Sequence, residues 1–163
     1  MKRYAHTAKR KGQEDWHELE AHLAGAAALA RNFAEAFGAG EWGECAGRLH
    51  DAGKARRAFQ EYLKLCAEGR GVRGSAPHAV YGAKLAADGH KVSGKLLAYA
   101  ISGHHGGLPD WKDLERRLLN FPGLDEITQI GEGVGFPQGF PFKLDKGDKP
   151  GFALAFFTRI RNL

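Results

Sequence analysis

The stretch Leu49-His50-Asp51-Ala52-Gly53-Lys54 decides how this chain is read. An imidazole followed directly by a carboxylate places two metal-binding groups on one patch. If the segment is helical, Lys54, four residues after His50, shares their face. Such a patch can hold a metal ion and meet a phosphate. His22, His78, His104 and His105 each fall on a predicted helix at or beside its apolar face, so six candidate ligands converge.

The helices follow from the apolar spacing. Trp16, Leu19, Leu23, Ala26, Ala30, Phe33 and Phe37 alternate in steps of three and four, the stripe of a buried helix, and Gly38 and Gly40 end it. His22 lies at the edge of that stripe, while His6 and His17 read as surface residues. A second helix is predicted over 41–66, carrying Trp42, Cys45, Leu49, Ala52, Phe59, Leu63 and Cys66 at helical spacing. His50 and Asp51 flank Leu49 near the core, where an unpaired carboxylate is expensive, so something positive must meet Asp51.

Gly69 to Gly74 form a loop carrying Arg70 and Arg73, candidates for contact with a phosphate backbone. Ser75 then offers an N-cap, with Pro77 in the first turn of a third helix reaching about Asp88 and His78 near its start. A fourth helix over 92–105 finishes its apolar stripe with His104 and His105, and Gly106, Gly107 and Pro109 break it. Two adjacent imidazoles at an apolar helix end need two sets of partners, which a metal supplies. A fifth, more polar helix is expected over 110–121, then a glycine- and proline-rich loop or flap over 122–151 with Phe136, Phe140 and Phe142, and a last helical stripe over 152–163. The expected architecture is all-α, one bundle of about six or seven helices over residues 1–163, because ligands so far apart in sequence meet only across facing helices. Residues 1–14 are expected to form a basic arm that orders where it meets the body.

With 163 residues, the chain is the size of one domain. A net charge of +5 and a pI near 9.3, with clusters at Lys9-Arg10-Lys11, Arg56-Arg57 and 70–73, suit a polyanionic partner. Cys45 and Cys66 stand 21 residues apart in no CxxC pattern, so no disulfide framework or zinc ribbon is indicated and a reduced cytoplasm is the expected compartment. No apolar run approaches the roughly 20 residues that cross a bilayer.

Histidines mixed with a carboxylate suit borderline divalent ions, manganese, iron, cobalt, nickel or zinc, rather than calcium. Six ligands suit two ions. Two ions bridged by a carboxylate can activate a shared water and hold the attacking and leaving oxygens of a phosphoester, so phosphodiester hydrolysis is the expected reaction.

The order of these motifs resembles the HD superfamily of metal-dependent phosphohydrolases. "WHELEAH" (16–22), "LHDAGK" (49–54) with "FQEYL" (59–63), Pro77-His78 with Gly82-Ala83, and "GHHGGLPD" (103–110) are similar to the nuclease domain of the CRISPR-associated helicase-nuclease of type I systems. The likeness covers about residues 15–120, and "FFTRI" continues it. It implies that His22, His50 and Asp51 hold a first metal, that Asp51 bridges to a second held by His78, His104 and His105, and that Lys54 steadies the scissile phosphate. It further implies single-stranded DNA as substrate, supplied by a helicase domain or subunit and a CRISPR surveillance complex in antiviral defence.

Ala79 stands where that family often has serine after the histidine. The family's final aspartate ligand comes in a stretch such as "S-x-L-V-D-A-D" just beyond a segment like 156–163, so the expectation is a fragment of a longer polypeptide with an incomplete first site and weak activity. Two other readings remain open at this point: a phosphohydrolase of nucleotides or cyclic nucleotides, and a catalytically impaired scaffold that binds nucleic acid or an effector complex.

Overall fold

The computed structural model describes residues 2–8, 12–119 and 123–139. The cluster Lys9-Arg10-Lys11, the later part of the 122–151 segment and the predicted helix over 152–163 lie outside them. Among the described residues are seven α-helices: α1 (Leu19–Glu35), α2 (Gly40–Leu49), α3 (Arg57–Ala67), α4 (Ala79–Gly89), α5 (Ser93–Gly103), α6 (Trp111–Arg117) and α7 (Thr128–Gly131). The architecture is an all-α bundle. A small antiparallel ribbon is added to it, β1 (Tyr4–His6) on β2 (His17–Glu18), so part of the N-terminal arm is a strand.

The bundle is assembled from two helix pairs, α1 on α2 and α4 on α5. The first pair packs through small residues: a Cβ on Gly43 would stand 2.3 Å from the Ala30 carbonyl oxygen, so the two backbones nearly touch. That close crossing selects the buried face of α1. Leu19, Leu23, Ala27, Ala30 and Ala34 are buried, whereas Phe33, expected on the apolar stripe, is exposed because its bulk cannot enter such a narrow seam. The main core joins Trp42, Cys45 and Leu49 of α2 to Ala83 and Ala86 of α4, Leu97 and Ile101 of α5 and Leu114 of α6. Gly38, with φ of 70°, closes α1, as its position predicts.

Three boundaries differ from the sequence expectation. α1 begins at Leu19, because Trp16 leaves the stripe to pack on Phe59 and Leu63, and the Leu19 N–H bonds the Arg3 carbonyl across the ribbon at 2.9 Å. His78, rather than Ser75, is the N-cap residue of α4. Most consequentially, the single helix expected over 41–66 is divided: α2 ends at Leu49, a 3₁₀ turn spans Ala52–Ala55, and α3 starts at Arg57. The cause is α4, which crosses at the break. A Cβ on Gly53 would stand 2.2 Å from the His78 carbonyl oxygen, and one on Gly82 1.9 Å from that of Leu49. A straight helix would occupy the space that α4 fills.

A candidate metal centre of histidines around Asp51

The helix break delivers the ligands. His50 caps the C-terminus of α2 and Asp51 opens the 3₁₀ turn, so its carboxylate points inward instead of along a helix face. The crossing at Gly53 and Gly82 sets His78 against that turn, α1 contributes His22, and His104 and His105 follow the last residue of α5. Four imidazoles face the one carboxylate. His22 Nε2 and His50 Nε2 stand 2.8 and 3.2 Å from Asp51 Oδ2, and His78 Nε2 and His104 Nε2 stand 3.2 and 3.6 Å from Oδ1. His105 Nε2 is 2.9 Å from His78 Nε2. Two ligand sets result, each with its atoms within 4.8 Å of one another: His22, His50 and Asp51, and Asp51, His78, His104 and His105.

The tautomers fit a metal. His50 Nδ1–H donates to the Gly47 carbonyl at 2.8 Å and His104 Nδ1–H to the Ile101 carbonyl at 2.6 Å. A carbonyl can only accept, so Nδ1 carries a proton, and the neutral form of each ring is the tautomer with a bare Nε2 toward Asp51. An imidazole lone pair then faces a carboxylate lone pair, which needs a proton or a cation between them. His104 Nε2 and Asp51 Oδ1 are both buried without a hydrogen-bond partner. Two ligands at about 2.1 Å from one ion and at right angles to each other would stand roughly 3 Å apart, which matches the separations around Asp51. The donor set fits borderline divalent ions.

The electrostatics agree. Burial opposes ionisation of Asp51, but the imidazoles of His104, His50 and His78 outweigh it and hold the carboxyl well below the usual carboxylate range. Burial also lowers His22 and His105, against the pull of Asp51 in the first case and joined by repulsion from His104 and His78 in the second. His50 is the exception: burial lowers it, but Asp51 and the Gly47 carbonyl outweigh burial and raise it, so its ring favours a proton that a metal would have to displace. Histidines held neutral are those ready to ligate a metal.

Lys54 is buried with its ammonium 2.8 Å from Asp51 Oδ2. It reaches the carboxylate across the 3₁₀ turn, three residues on, and not by sharing a helical face with His50. The positive group that a buried Asp51 requires is thus supplied by the next turn of chain.

Arg73 lines a groove of about 500 Å³ that His78 and His105 also line. Arg70 pairs with Glu68 on the surface. Four contributors escaped the sequence reading. Gln60 accepts from Tyr4 N–H at 2.9 Å and donates to the carbonyls of Tyr4 and Lys54 at 2.8 and 2.7 Å, tying the ribbon to the site; its place in "FQEYL" was the only signal. His6 and His17 are exposed, yet their rings gather on His22. Burial, then Lys54 and His22, push His6 down to about 4. Arg117 enters the same groove as Arg73 from α6 and carries no sequence mark.

A helical bundle that gathers imidazoles from four segments around one His-Asp pair defines a metal-binding domain of the phosphohydrolase type. The sequence matches the HD domain family over residues 19–121, and the chain belongs to that family. No curated protein matches it. No described helix is long and apolar enough to cross a membrane.

Proposed function

We propose that this chain is a metal-dependent nuclease that hydrolyses phosphodiester bonds of single-stranded DNA in CRISPR interference. The observation that carries the reading is the groove that two members of the second ligand set, His78 and His105, help to line. Tyr62, Arg73 and Arg117 line it together with these histidines. A part-exposed tyrosine ring for a base and cations for phosphates, beside the ligands, suit a strand better than a mononucleotide. The net charge of +5 supports the same class of partner.

Bound divalent ions, two by this reading, would lower the pKa of a water and neutralise charge on the phosphate. His22, His50 and Asp51 would hold one, and Asp51, His78, His104 and His105 the other. Lys54 orients Asp51 through its 2.8 Å contact and presents positive charge at the floor of the site. Arg73 and Arg117 fix the strand's phosphates, and the backbone carbonyls of Gly47 and Ile101 hold His50 and His104 in the ligating tautomer. A helicase domain or subunit and a surveillance complex would supply the displaced strand in the cytoplasm.

The test is incubation of a circular single-stranded DNA with the chain and manganese, cobalt or nickel, beside a chelator control and Asp51→Ala. Metal-dependent linearisation, lost in the variant, is the expected result. Hydrolysis of nucleotides or cyclic nucleotides with the circle left intact would overturn the assignment of substrate.

A further inference from the structure

The three histidines at the mouth of the Asp51 centre come from three separate elements. His6 on β1 stands opposite His17 on β2, and cross-strand neighbours of an antiparallel pair project to one face. Their rings lie 6.1 Å apart with planes at 23°. His22, in the first turn of α1, turns its ring edgewise to both, at 4.9 Å from His6 and 5.4 Å from His17. One ligand atom from each residue lies within 4.8 Å of the other two. His6 and His17 are exposed, so the open side of the trio faces solvent.

We propose that His6, His17 and His22 form an additional cation site, for a borderline ion such as Zn²⁺ or Ni²⁺, and that His22 serves either this site or Asp51 but not both. Three imidazoles without a carboxylate favour nitrogen-seeking ions over magnesium or calcium. The ribbon that carries His6 is anchored, because Gln60 binds both backbone polar groups of Tyr4. His6 and His17 precede the family match, which starts at residue 19, so two of the three ligands come from the ribbon outside the matched region and only His22 from within it.

The exclusivity follows from the ring. A neutral imidazole has one bare nitrogen, and His22 Nε2 already stands 2.8 Å from Asp51 Oδ2. An ion held by the ribbon histidines takes the one lone pair of His22 and leaves His50 and Asp51 alone in the first ligand set. Excess zinc would therefore inhibit an enzyme loaded with another metal. That sharing rests on the metal-dependent reading of the Asp51 centre; the ribbon site itself does not.

The test follows the ring nitrogens of every histidine by long-range proton–nitrogen NMR while Zn²⁺ is added to the full chain. The expected result is that Zn²⁺ added past saturation of the Asp51 ligands moves His6, His17 and His22 together, along one saturable curve. In His17→Gln, on the exposed ribbon, the His6 response should be lost, and equilibrium dialysis should find one fewer Zn²⁺ per chain. His6 and His17 rings that stay still, or a His6 response unchanged in His17→Gln, would overturn the site. Movement of His6 and His17 without His22 would overturn the sharing. Failure of the nuclease reading looks different: His50, His78, His104 and His105 would not respond to any metal.

Discussion

Lys54 Nζ lies 2.8 Å from Asp51 Oδ2, with side-chain exposures of only 6% and 5%. Two opposite charges withdrawn from water depend on each other, because removing one partner leaves the other buried and uncompensated. Asp51→Asn is therefore expected to destabilise the metal-free chain by about 3–5 kcal/mol. Adding Lys54→Met should return much of that loss. Urea unfolding of the two single variants and the double variant measures the coupling; strict additivity would refute the dependence.

Gly53 sits where a Cβ would meet the His78 carbonyl oxygen at 2.2 Å, backbone against backbone. Gly53→Ala must push α4 away from the 3₁₀ turn. A cost of about 1–3 kcal/mol is expected for such overpacking, together with weaker metal binding by the set that contains His78. Calorimetric titration with Mn²⁺ checks the second effect, and unchanged affinity would show that the crossing does not position His78.

Gln60 makes three hydrogen bonds to backbone groups of Tyr4 and Lys54. Gln60→Leu leaves those groups unpartnered at roughly 1–3 kcal/mol for each one buried. Faster hydrogen exchange at the Tyr4 amide is the expected signature. Exchange no faster than in the parent chain would mean that the ribbon is held by other contacts.

His6 is exposed on one side but packs its ring on His17 and His22, and that partial burial, then the positive charge of Lys54, pushes its pKa down to about 4. Between there and the ordinary histidine value of about 6.5, the unfolded chain binds more protons at this residue than the folded one does. Stability contributed through His6 thus rises with pH across that window and falls on acidification. Unfolding free energies of the metal-free chain and of His6→Gln, compared from pH 4 to 7, should show the shallower slope in the variant.

Metal addition should stabilise the fold. At about 100 times Kd, a ligand that binds only the native state adds about 2.7 kcal/mol. A rise in Tm with Mn²⁺, reversed by a chelator and absent in Asp51→Ala, is the expected outcome. Acid should release the ion, since protons compete for the imidazoles.

The His-Asp pair, its partner histidines and the all-α class were legible because chemistry and period are local. His50-Asp51 is adjacent in sequence, His104-His105 ends an apolar stripe, and a carboxylate flanking buried Leu49 had to meet a positive group. The apolar period over 41–66 was also genuine, yet it could not show that the helix stops at Leu49. Phe33 carried the right spacing and is exposed all the same.

Those departures have one origin. Residue type and spacing determine which groups are available and which faces are apolar, since these depend on neighbours three or four positions away. Backbones in near contact, α1 on α2 at Gly43 and α4 on the turn at Gly53 and Gly82, decided where the helix breaks and which side chains fit the seam. The same contacts determined that Lys54 reaches Asp51 from a 3₁₀ turn, that Gln60 ties the ribbon down, and that His6 and His17 close on His22. Such approaches join residues tens of positions apart, and steric exclusion between them leaves no periodic trace in the chain.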